Sequence, residues 1–257
     1  MRFPRKAMVL AAGLGTRLRP LTDAKPKALL EIGGRPMIEY PLRMLARAGV
    51  AEVVVNVHHL AEQVRAALGD GSRYRLSIHY SAEDPILDTG GAIARARPFL
   101  DDEPFAVANC DALLDPDLAS AWALHQRQDA LVTLVVREDA AAERYGALDL
   151  DASGRVKRFL GQPAQVAEPL ERRMFCGVHL VSPRLFAYMP ARDVFSITRD
   201  VYAALVRQGA AIFGFEHRAY WRDLGTLSSL DAARDDLARR RFVPSFVDTV
   251  LTPSVER

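Results

Sequence analysis

Near its N-terminus the chain reads Leu10-Ala-Ala-Gly-Leu-Gly-Thr-Arg-Leu-Arg-Pro-Leu-Thr22, and Lys25-Pro-Lys27 follows shortly afterwards. The apolar run over residues 7–12 predicts a buried strand that ends in small residues. Gly13 and Gly15 allow backbone N–H groups to approach an anion closely, because a side chain at either position would block the approach. This stretch therefore predicts a strand followed by a phosphate-binding turn.

Two established glycine motifs are excluded by their spacing. A Walker loop needs G-x-x-x-x-G-K-[ST], whereas Gly15 is followed by Thr16 and Arg17. The dinucleotide fingerprint G-x-G-x-x-G fails because its last position is Leu18. The sequence thus indicates neither a P-loop ATPase nor a dehydrogenase.

Short apolar runs alternate with helical patterns along the rest of the chain. Strands are predicted over residues 7–12, 53–57, 76–80, 105–109, 131–136, 147–151, 156–160, 174–181 and 211–216, and helices over residues 61–68, 91–99, 117–128, 183–189, 198–208 and 228–241. This alternation favours an α/β domain with a largely parallel sheet buried on both faces. The strands between residues 147 and 181 lack intervening helices, so we expect antiparallel pairing there, with a hairpin turn at Asp151-Ala-Ser-Gly154. Ser228 and Asp231 predict a capping box at the start of the last helix.

The composition is that of an ordinary globular protein. Of the 257 residues, 49% are hydrophobic and 26% are charged. The formal net charge of +2 is too close to neutral to indicate binding to nucleic acid or to a membrane surface. No stretch approaches the roughly 18 apolar residues that a membrane-spanning helix needs. Cys110 and Cys176 lie in apolar runs and are too few for a disulfide scaffold. We therefore expect a soluble, cytoplasmic protein with two buried thiols.

Further motifs follow the glycine loop in a fixed order. They are Lys25-Pro-Lys-Ala-Leu29, Gly33-Gly-Arg-Pro-Met-Ile38, Val55-Asn-Val57, Asp88-Thr-Gly-Gly91, Asn109-Cys-Asp111, Phe175-Cys-Gly177 and Trp221-Arg-Asp-Leu-Gly-Thr226. Together with the loop they resemble the sugar-1-phosphate nucleotidyltransferases, which make NDP-sugars from an NTP and a sugar 1-phosphate. The resemblance implies a three-layer α/β sandwich with a mixed, mainly parallel sheet, the Rossmann-like fold of nucleotide-diphospho-sugar transferases. It implies one domain over residues 1–242, with a nucleotide-binding N-terminal half and a sugar-binding C-terminal half, before a tail over residues 243–257.

In this family a phosphate oxygen of the sugar 1-phosphate attacks the α-phosphorus of the nucleotide, and pyrophosphate leaves. The resemblance implies that Arg17 faces the β- and γ-phosphates and that Lys27 lies near the α-phosphoryl group, with Asp111 as a third catalytic residue. The implied nucleotide-binding residues are Leu10, Ala11, Ala12, Gly13, Gly15, Thr16, Arg17, Lys27, Glu83, Gly90 and Gly91. The implied sugar-binding residues are Asn109, Gly146 and Gly177.

Two aspartates that lie far apart in the sequence are the implied ligands of a Mg²⁺ ion. Asp111 follows an apolar strand, and Asp223 follows Tyr220 and Trp221. A carboxylate at the carboxyl end of a strand can project into the crevice where open α/β sheets bind ligands. Mg²⁺ usually takes one or two carboxylates together with substrate phosphates, which is compatible with this pair.

The residues that would select the base and hold the sugar phosphate leave alternatives open. A carboxylate can accept from uracil N3–H or from guanine N1–H and N2–H₂, so Glu83 does not choose between the two bases. Gln162 stands where many relatives carry a lysine for the sugar phosphate. Lys157 or Arg158 could compensate, but at most one of them can point inward because strand faces alternate.

The compact length and the Leu87-Asp-Thr-Gly-Gly91 turn are most similar to the uridylyltransferases that act on N-acetylmuramate 1-phosphate. A GTP-dependent guanylyltransferase for mannose or heptose 1-phosphate is the first alternative. A catalytically silent nucleotide-sugar-binding regulatory protein is the second, and the presence of Arg17, Lys27, Asp111 and Asp223 favours an enzyme instead. The expected partners are an NTP (UTP or GTP) and a sugar 1-phosphate, with no nucleic acid or membrane, and the expected assembly is a monomer or small homo-oligomer.

Overall fold

The structure is a computed structural model that describes residues 2–163, 166–167 and 169–246. Its strands are β1 Lys6–Leu10, β2 Glu31–Ile32, β3 Arg35–Pro36, β4 Glu52–Val57, β5 Ser77–Ala82, β6 Phe105–Asn109, β7 Ala112–Leu114, β8 Val132–Arg137, β9 Ala147–Leu150, β10 Val156–Phe159, β11 Glu171–Val181, β12 Ile212–Glu216 and β13 Trp221–Asp223. Its α-helices are α1 Leu21–Ala24, α2 Glu39–Ala48, α3 Ala61–Leu68, α4 Asp88–Arg95, α5 Arg97–Leu100, α6 Leu118–Arg127, α7 Ala142–Tyr145, α8 Ala203–Arg207 and α9 Leu227–Ala238. Short 3₁₀ helices cover Thr16–Leu18, Lys27–Leu29, Ser72–Tyr74 and Pro183–Tyr188, and Ile197–Tyr202 forms a π-helical segment.

The central sheet runs in the order β10-β9-β11-β6-β1-β4-β5, and β8 joins it by pairing with β11 and β12. Strand β1 lies between β4 and β6 and is parallel to both. Within β1, Ala7 and Val9 belong to one core cluster, whereas Met8 belongs to the other. Successive side chains of a strand point to opposite faces, so this strand is buried on both sides. The expected three-layer α/β architecture with a mixed sheet is confirmed.

The predicted antiparallel pairing beyond residue 147 is also confirmed. Strands β9 and β10 form a hairpin, and β11 is antiparallel to β6, β8 and β9. The hairpin turn begins at Asp151, whose Oδ1 accepts hydrogen bonds from the backbone N–H groups of Ser153 and Arg155 at 2.9 and 3.0 Å. Hydrogen bonds from nearby backbone N–H groups to its side chain are a usual reason why aspartate is common in turns.

Several helix predictions need correction. The last helix is capped by Thr226 and Ser229, which exchange hydrogen bonds at 3.1 and 3.2 Å, so the capping box predicted at Ser228 and Asp231 is wrong by two residues. The 183–189 segment is a 3₁₀ helix, and the 198–208 segment begins as a π-helix. Helix α2 was not predicted, because Pro41 interrupts its apolar pattern. Pro41 lies in the first turn of the helix, where proline is tolerated because the backbone N–H groups have no intrahelical acceptor.

Three other sequence expectations concern the cysteines, the membrane and the tail. Cys110 and Cys176 are both free and buried, as predicted. Among the described residues, none of the helices combines the length and the apolar composition that crossing a bilayer requires. The predicted tail is described only as far as Phe246; residues 247–257 lie outside the described part of the chain.

His179 is a buried polar residue that makes stability depend on pH. It lies on β11, and its Nδ1 is 2.6 Å from the hydroxyl oxygen of Tyr202. Burial lowers the pKa of His179 to about 3. In the unfolded chain the same imidazole takes up a proton near pH 6.5. The unfolded state therefore binds more protons than the folded state between these pH values, and the free energy of unfolding decreases as the pH falls through this window.

We predict that wild type loses about 2 kcal/mol more stability than His179→Gln between pH 6.5 and 5, because the variant lacks the group that protonates only on unfolding. Urea unfolding of both proteins at four pH values from 7.5 to 5 measures the difference. Parallel pH dependences in the two proteins would contradict the prediction.

Candidate active site at the strand ends

The chain changes direction across the sheet at β1. From β1 it proceeds to β4 and β5 on one side, and it then returns to β6 on the other. In open α/β sheets, ligands bind outside the carboxyl ends of the strands at such a switch point. A cavity of about 220 Å³ opens there; we call it the strand-end cavity, and its lining includes Leu10, Gly13, Lys27, Glu83, Asn109 and Asp111. Ala12 and Cys110 also line it.

The glycine loop is folded against the segment that carries Lys27. Gly15 has φ +64°, and a Cβ at this position would lie 2.8 Å from Thr22 Cγ2 and 3.0 Å from Lys27 Cβ. The Thr22 hydroxyl donates to the carbonyl oxygen of Gly15 at 2.9 Å. Glycine is therefore required at position 15 both for the backbone conformation and for close packing. The loop and Lys27 therefore pack together as one unit.

Lys27 and Asp111 form an ion pair at the wall of the cavity. The lysine side chain is only 9% exposed and the aspartate side chain 29%. Burial lowers the pKa of Lys27, but the negative charges of Asp111 and Asp223 outweigh that effect and the net pKa is raised. The lysine is therefore an ammonium ion at neutral pH, fixed in place rather than extended into solvent.

Asp223 is brought to the same place by a small antiparallel ribbon. Strand β13 pairs with β7 so that Asp223 lies opposite Ala112, and the N–H of Leu224 donates to the carbonyl oxygen of Asp111 at 2.8 Å. Burial, and then the charge of Asp111, raise the pKa of Asp223, whereas Lys27 and Arg17 oppose the rise. Neither strand was predicted from the sequence, because each has only three residues.

Arg17 completes this group of charges. A Cβ built on Gly225 would lie 2.7 Å from Arg17 Nη2 and 3.0 Å from Asp223 Oδ2. The structure thus brings together the four charged residues that the sequence singled out, Arg17, Lys27, Asp111 and Asp223. The described residues contain no group of three or more potential metal-ligating side chains. Asp111 and Asp223 are two carboxylates whose charges act on each other.

A second cavity, of about 240 Å³, lies beside the first and shares Asn109 and Asp111 with it. We call it the aromatic cavity, because Tyr145, Phe175 and Trp221 line it together with Arg17, Gly177 and Asp223. The Trp221 indole donates to the carbonyl oxygen of Cys176 at 3.0 Å, and the Tyr145 ring meets it edge-on at a centroid distance of 5.0 Å. Sequence reasoning missed these aromatic residues, although Trp221 stands two positions before Asp223 and so shares its face of β13.

The three predicted sugar-side residues occupy different places. Asn109 lines both cavities, and Gly177 lines the aromatic cavity. Gly177 has φ +88°, and a Cβ on it would lie 3.1 Å from Asn109 Nδ2. Gly146 instead ends α7, and its carbonyl oxygen accepts from the N–H of Phe175 at 3.2 Å.

Glu83 connects three parts of the strand-end cavity. The side chain is only 4% exposed. Its Oε1 accepts from Asn56 Nδ2 at 2.7 Å, and its Oε2 accepts from the N–H of Leu87 at 3.0 Å. Asn56 Oδ1 in turn accepts from the N–H of Ala11 at 2.7 Å. The carboxylate therefore holds the ends of β1 and β4 against the loop that begins α4.

The other predicted contacts are used within the protein. The N–H groups of Gly90 and Gly91 both donate to the carbonyl oxygen of Phe195, at 2.9 and 3.2 Å. Thr16 begins the 3₁₀ turn after the glycine loop. Arg158, considered as a substitute for the missing lysine, pairs with Asp149 at 2.8 Å.

Nearly the whole chain matches a single protein family: residues 6–240 fit the family model described as nucleotidyl transferase. This chain belongs to the nucleotidyl transferase family. The resemblance inferred from the glycine loop and its following motifs is thereby confirmed.

Named relatives of this nucleotidyl transferase act on sugar 1-phosphates. A UTP–glucose-1-phosphate uridylyltransferase of Synechocystis is 32% identical over 98% of this chain and 66% of its own length. An N-acetylmuramate alpha-1-phosphate uridylyltransferase of Neisseria meningitidis is 36% identical over 89% of this chain and 96% of its own length. A mannose-1-phosphate guanylyltransferase of Mycobacterium tuberculosis is 32% identical over 91% of this chain and 64% of its own length. Family membership therefore supports sugar-1-phosphate nucleotidyl transfer as the class of activity.

A solved structure agrees with the fold. The structure of a UDP-glucose pyrophosphorylase complexed with UDP-glucose matches this nucleotidyl transferase with a TM-score of 0.77 at 20% identity, covering 93% of this chain and 100% of the other. The expected nucleotidyltransferase fold is confirmed. With respect to length, the chain spans about two thirds of the Synechocystis and Mycobacterium relatives and nearly all of the Neisseria relative.

We predict that Glu83→Gln lowers the free energy of unfolding of this nucleotidyl transferase by about 1–3 kcal/mol. The amide nitrogen of glutamine would face a donor on either side, Asn56 Nδ2 or the N–H of Leu87, and would leave one of them unsatisfied. Urea unfolding measures the change. Glu62→Gln is the matched control, because the Glu62 side chain is 89% exposed; an equal effect in both variants would contradict the prediction.

Proposed function

We propose that this chain transfers a nucleotidyl group from an NTP to a sugar 1-phosphate, giving an NDP-sugar and pyrophosphate. The observation that carries the proposal is that two cavities meet at Asn109 and Asp111, next to Lys27 and Arg17. Two substrates joined through their phosphates need adjoining compartments with cations where they meet. In the proposal the nucleotide occupies the strand-end cavity and the sugar the aromatic cavity, which corresponds to a division of the 1–242 domain into a nucleotide half and a sugar half.

In-line attack of a sugar phosphate on an α-phosphorus needs little covalent help, but it needs positioning and neutralisation of crowded negative charge. Lys27 suits this role because its ammonium is held at the shared wall by Asp111. Arg17, which lines the aromatic cavity beside Asp223, would meet the departing β- and γ-phosphates where the two cavities adjoin. The proposed nucleotide-binding set is Leu10, Ala11, Ala12, Gly13, Gly15, Thr16, Arg17, Lys27, Glu83, Gly90 and Gly91, and the proposed sugar-binding set is Asn109, Gly146 and Gly177.

Asp111 and Asp223 have the chemistry of a Mg²⁺ site. Both are hard oxygen donors, and Mg²⁺ is commonly held by one or two carboxylates with substrate phosphates and water completing the shell. Burial and the neighbouring charge of Asp111 raise the pKa of Asp223, so a cation held by the two carboxylates would favour the charged form of Asp223. When bound, the ion would supply charge neutralisation to the phosphate oxygens. Asp111 and Asp223 would hold the ion, and Lys27 would add a second positive charge next to the substrate phosphates.

For the specific substrates we propose UTP and N-acetylmuramate 1-phosphate. The Neisseria relative supports this choice by its 36% identity and by its coverage of 96% in length, and the turn that ends at Gly91 supports it further. A GTP-dependent mannose- or heptose-1-phosphate guanylyltransferase is the alternative, which the Mycobacterium relative favours. The proposed location is the cytoplasm, as a monomer or small homo-oligomer.

Pyrophosphate release tests this proposal. The purified protein is incubated with Mg²⁺, with each of UTP, GTP, CTP, ATP and dTTP, and with the 1-phosphates of N-acetylmuramate, N-acetylglucosamine, glucose, mannose and heptose. The highest kcat/KM is expected for UTP with N-acetylmuramate 1-phosphate. Release confined to GTP would favour the guanylyltransferase. Absence of release with every pair would indicate a catalytically silent nucleotide-sugar-binding protein.

We predict that Lys27→Ala lowers kcat/KM at least a hundredfold, corresponding to the loss of about 2.7–4 kcal/mol of electrostatic stabilisation. Steady-state kinetics measure this effect, and circular dichroism checks that the fold is retained. Lys25→Ala is the control, because Lys25 lies two residues away and pairs with the exposed Glu31 at 3.0 Å. A nearly active Lys27→Ala protein would remove Lys27 from the mechanism.

We predict that Asp111→Asn and Asp223→Asn each raise the Mg²⁺ concentration needed for half-maximal rate at least about tenfold, because each removes one of two carboxylate ligands. Mn²⁺ binding followed by electron paramagnetic resonance provides a readout that does not depend on turnover. Asp231→Asn, on the exposed side of α9, should leave both measurements unchanged. If both active-site variants behave as this control does, the metal assignment is incorrect.

A further inference from the structure

Arg144 is an unused cation on the wall of the aromatic cavity. It lies in α7, one residue before Tyr145, and its side chain is exposed to that cavity. The neighbouring acidic residues are already paired: Glu143 with Arg172, and Asp149 with both Arg158 and Arg172. Within the described residues, Arg144 itself forms no ion pair.

The guanidinium of Arg144 is held by an aromatic platform. Its Cζ lies 5.3 Å from the centroid of the Tyr145 ring, within the range of a cation–π contact. Tyr145 meets Trp221 at 5.0 Å, and Trp221 is anchored by its indole N–H to the backbone of β11. The arginine is therefore oriented by the same side chains that line the cavity, so less side-chain entropy is lost when it meets a ligand.

The other charges of the aromatic cavity are committed elsewhere. Asp111 pairs with Lys27, and the charges that act on Asp223 are those of Asp111, Lys27 and Arg17. Of the charged residues that line this cavity, Arg144 is thus the one that takes part neither in the Asp111–Lys27 ion pair nor in the charge interactions of Asp223. An arginine that forms no ion pair with the described residues, facing a cavity in which a charged substrate is proposed, matches the planar, bidentate recognition of carboxylates and phosphates.

We propose that Arg144 is a substrate-binding residue that binds an oxyanion of the sugar substrate. This inference rests on the proposed function and extends it to a residue that the sequence did not single out. The oxyanion has two chemical sources in such substrates. One is the phosphate carried by every sugar 1-phosphate, and the other is a carboxylate substituent on the sugar ring, such as the lactyl group of N-acetylmuramate.

The test compares wild type, Arg144→Gln and Arg144→Lys with two substrates, N-acetylmuramate 1-phosphate and N-acetylglucosamine 1-phosphate, which differ by the lactyl group. We expect the KM for the sugar phosphate to rise at least tenfold in Arg144→Gln, with partial recovery in Arg144→Lys, while the KM for the NTP stays unchanged. Equal loss with both sugars identifies the phosphate as the bound group, and loss confined to N-acetylmuramate 1-phosphate identifies the carboxylate. Unchanged KM values with both sugars would overturn the proposal.

Two controls separate this inference from the proposed function. Arg218→Gln removes an exposed arginine that pairs with Glu216 and should match wild type. If wild type releases no pyrophosphate with either sugar, the proposed choice of N-acetylmuramate 1-phosphate fails, and isothermal titration calorimetry of the same two sugar phosphates then decides the role of Arg144. Affinity at least tenfold weaker in Arg144→Gln than in wild type supports the inference. Equal affinity in the two proteins, or no binding to either, overturns it.

Discussion

The ion pair between Lys27 and Asp111 joins two distant parts of the chain, the segment after the glycine loop and the end of β6. Desolvating an ammonium and a carboxylate is expensive, and a buried pair remains favourable only when its geometry is well satisfied. Here the cost is moderated because Asp111 keeps 29% of its side chain exposed. The packing of Gly15 against Lys27 and the β7–β13 ribbon both position this pair. The charged part of the site depends on it.

The position of β1 in the middle of the sheet explains why these groups can meet. Parallel strands on both sides of β1 direct their carboxyl ends to the same edge, and the crevice opens where the chain reverses its order. The antiparallel half of the sheet then supplies a second wall through β11, whose Phe175, Cys176 and Gly177 line the aromatic cavity. A mixed sheet thus provides two adjoining compartments, one from each of its halves.

Local patterns in the sequence were sufficient for the larger strands and for the glycine loop, whereas the roles of the four charged residues of the site came from the family resemblance. The three-residue strands β7 and β13 lack a detectable period, so the ribbon that brings Asp223 to Asp111 was not predicted; the resemblance implied only that the two aspartates share a metal ion. Arg144 and Tyr145 were missed because a single helical turn has no distinctive pattern. The role of Glu83 was also beyond sequence reasoning, since its partners Asn56 and Leu87 come from different elements and their hydrogen bonds depend on burial.

Cys110 has a consequence for the chemical sensitivity of the site. Its thiol lies next to Asp111 on the wall of the strand-end cavity, where burial raises its pKa to about 12, an effect that Asp111 increases and Lys27 opposes. The nucleophilic form of cysteine is the thiolate, which is scarce at neutral pH when the pKa is so high. A cysteine at the centre of the cleft is therefore compatible with resistance to alkylating reagents and to peroxide. The sulfur at this position is therefore held mainly in its less nucleophilic thiol form at neutral pH.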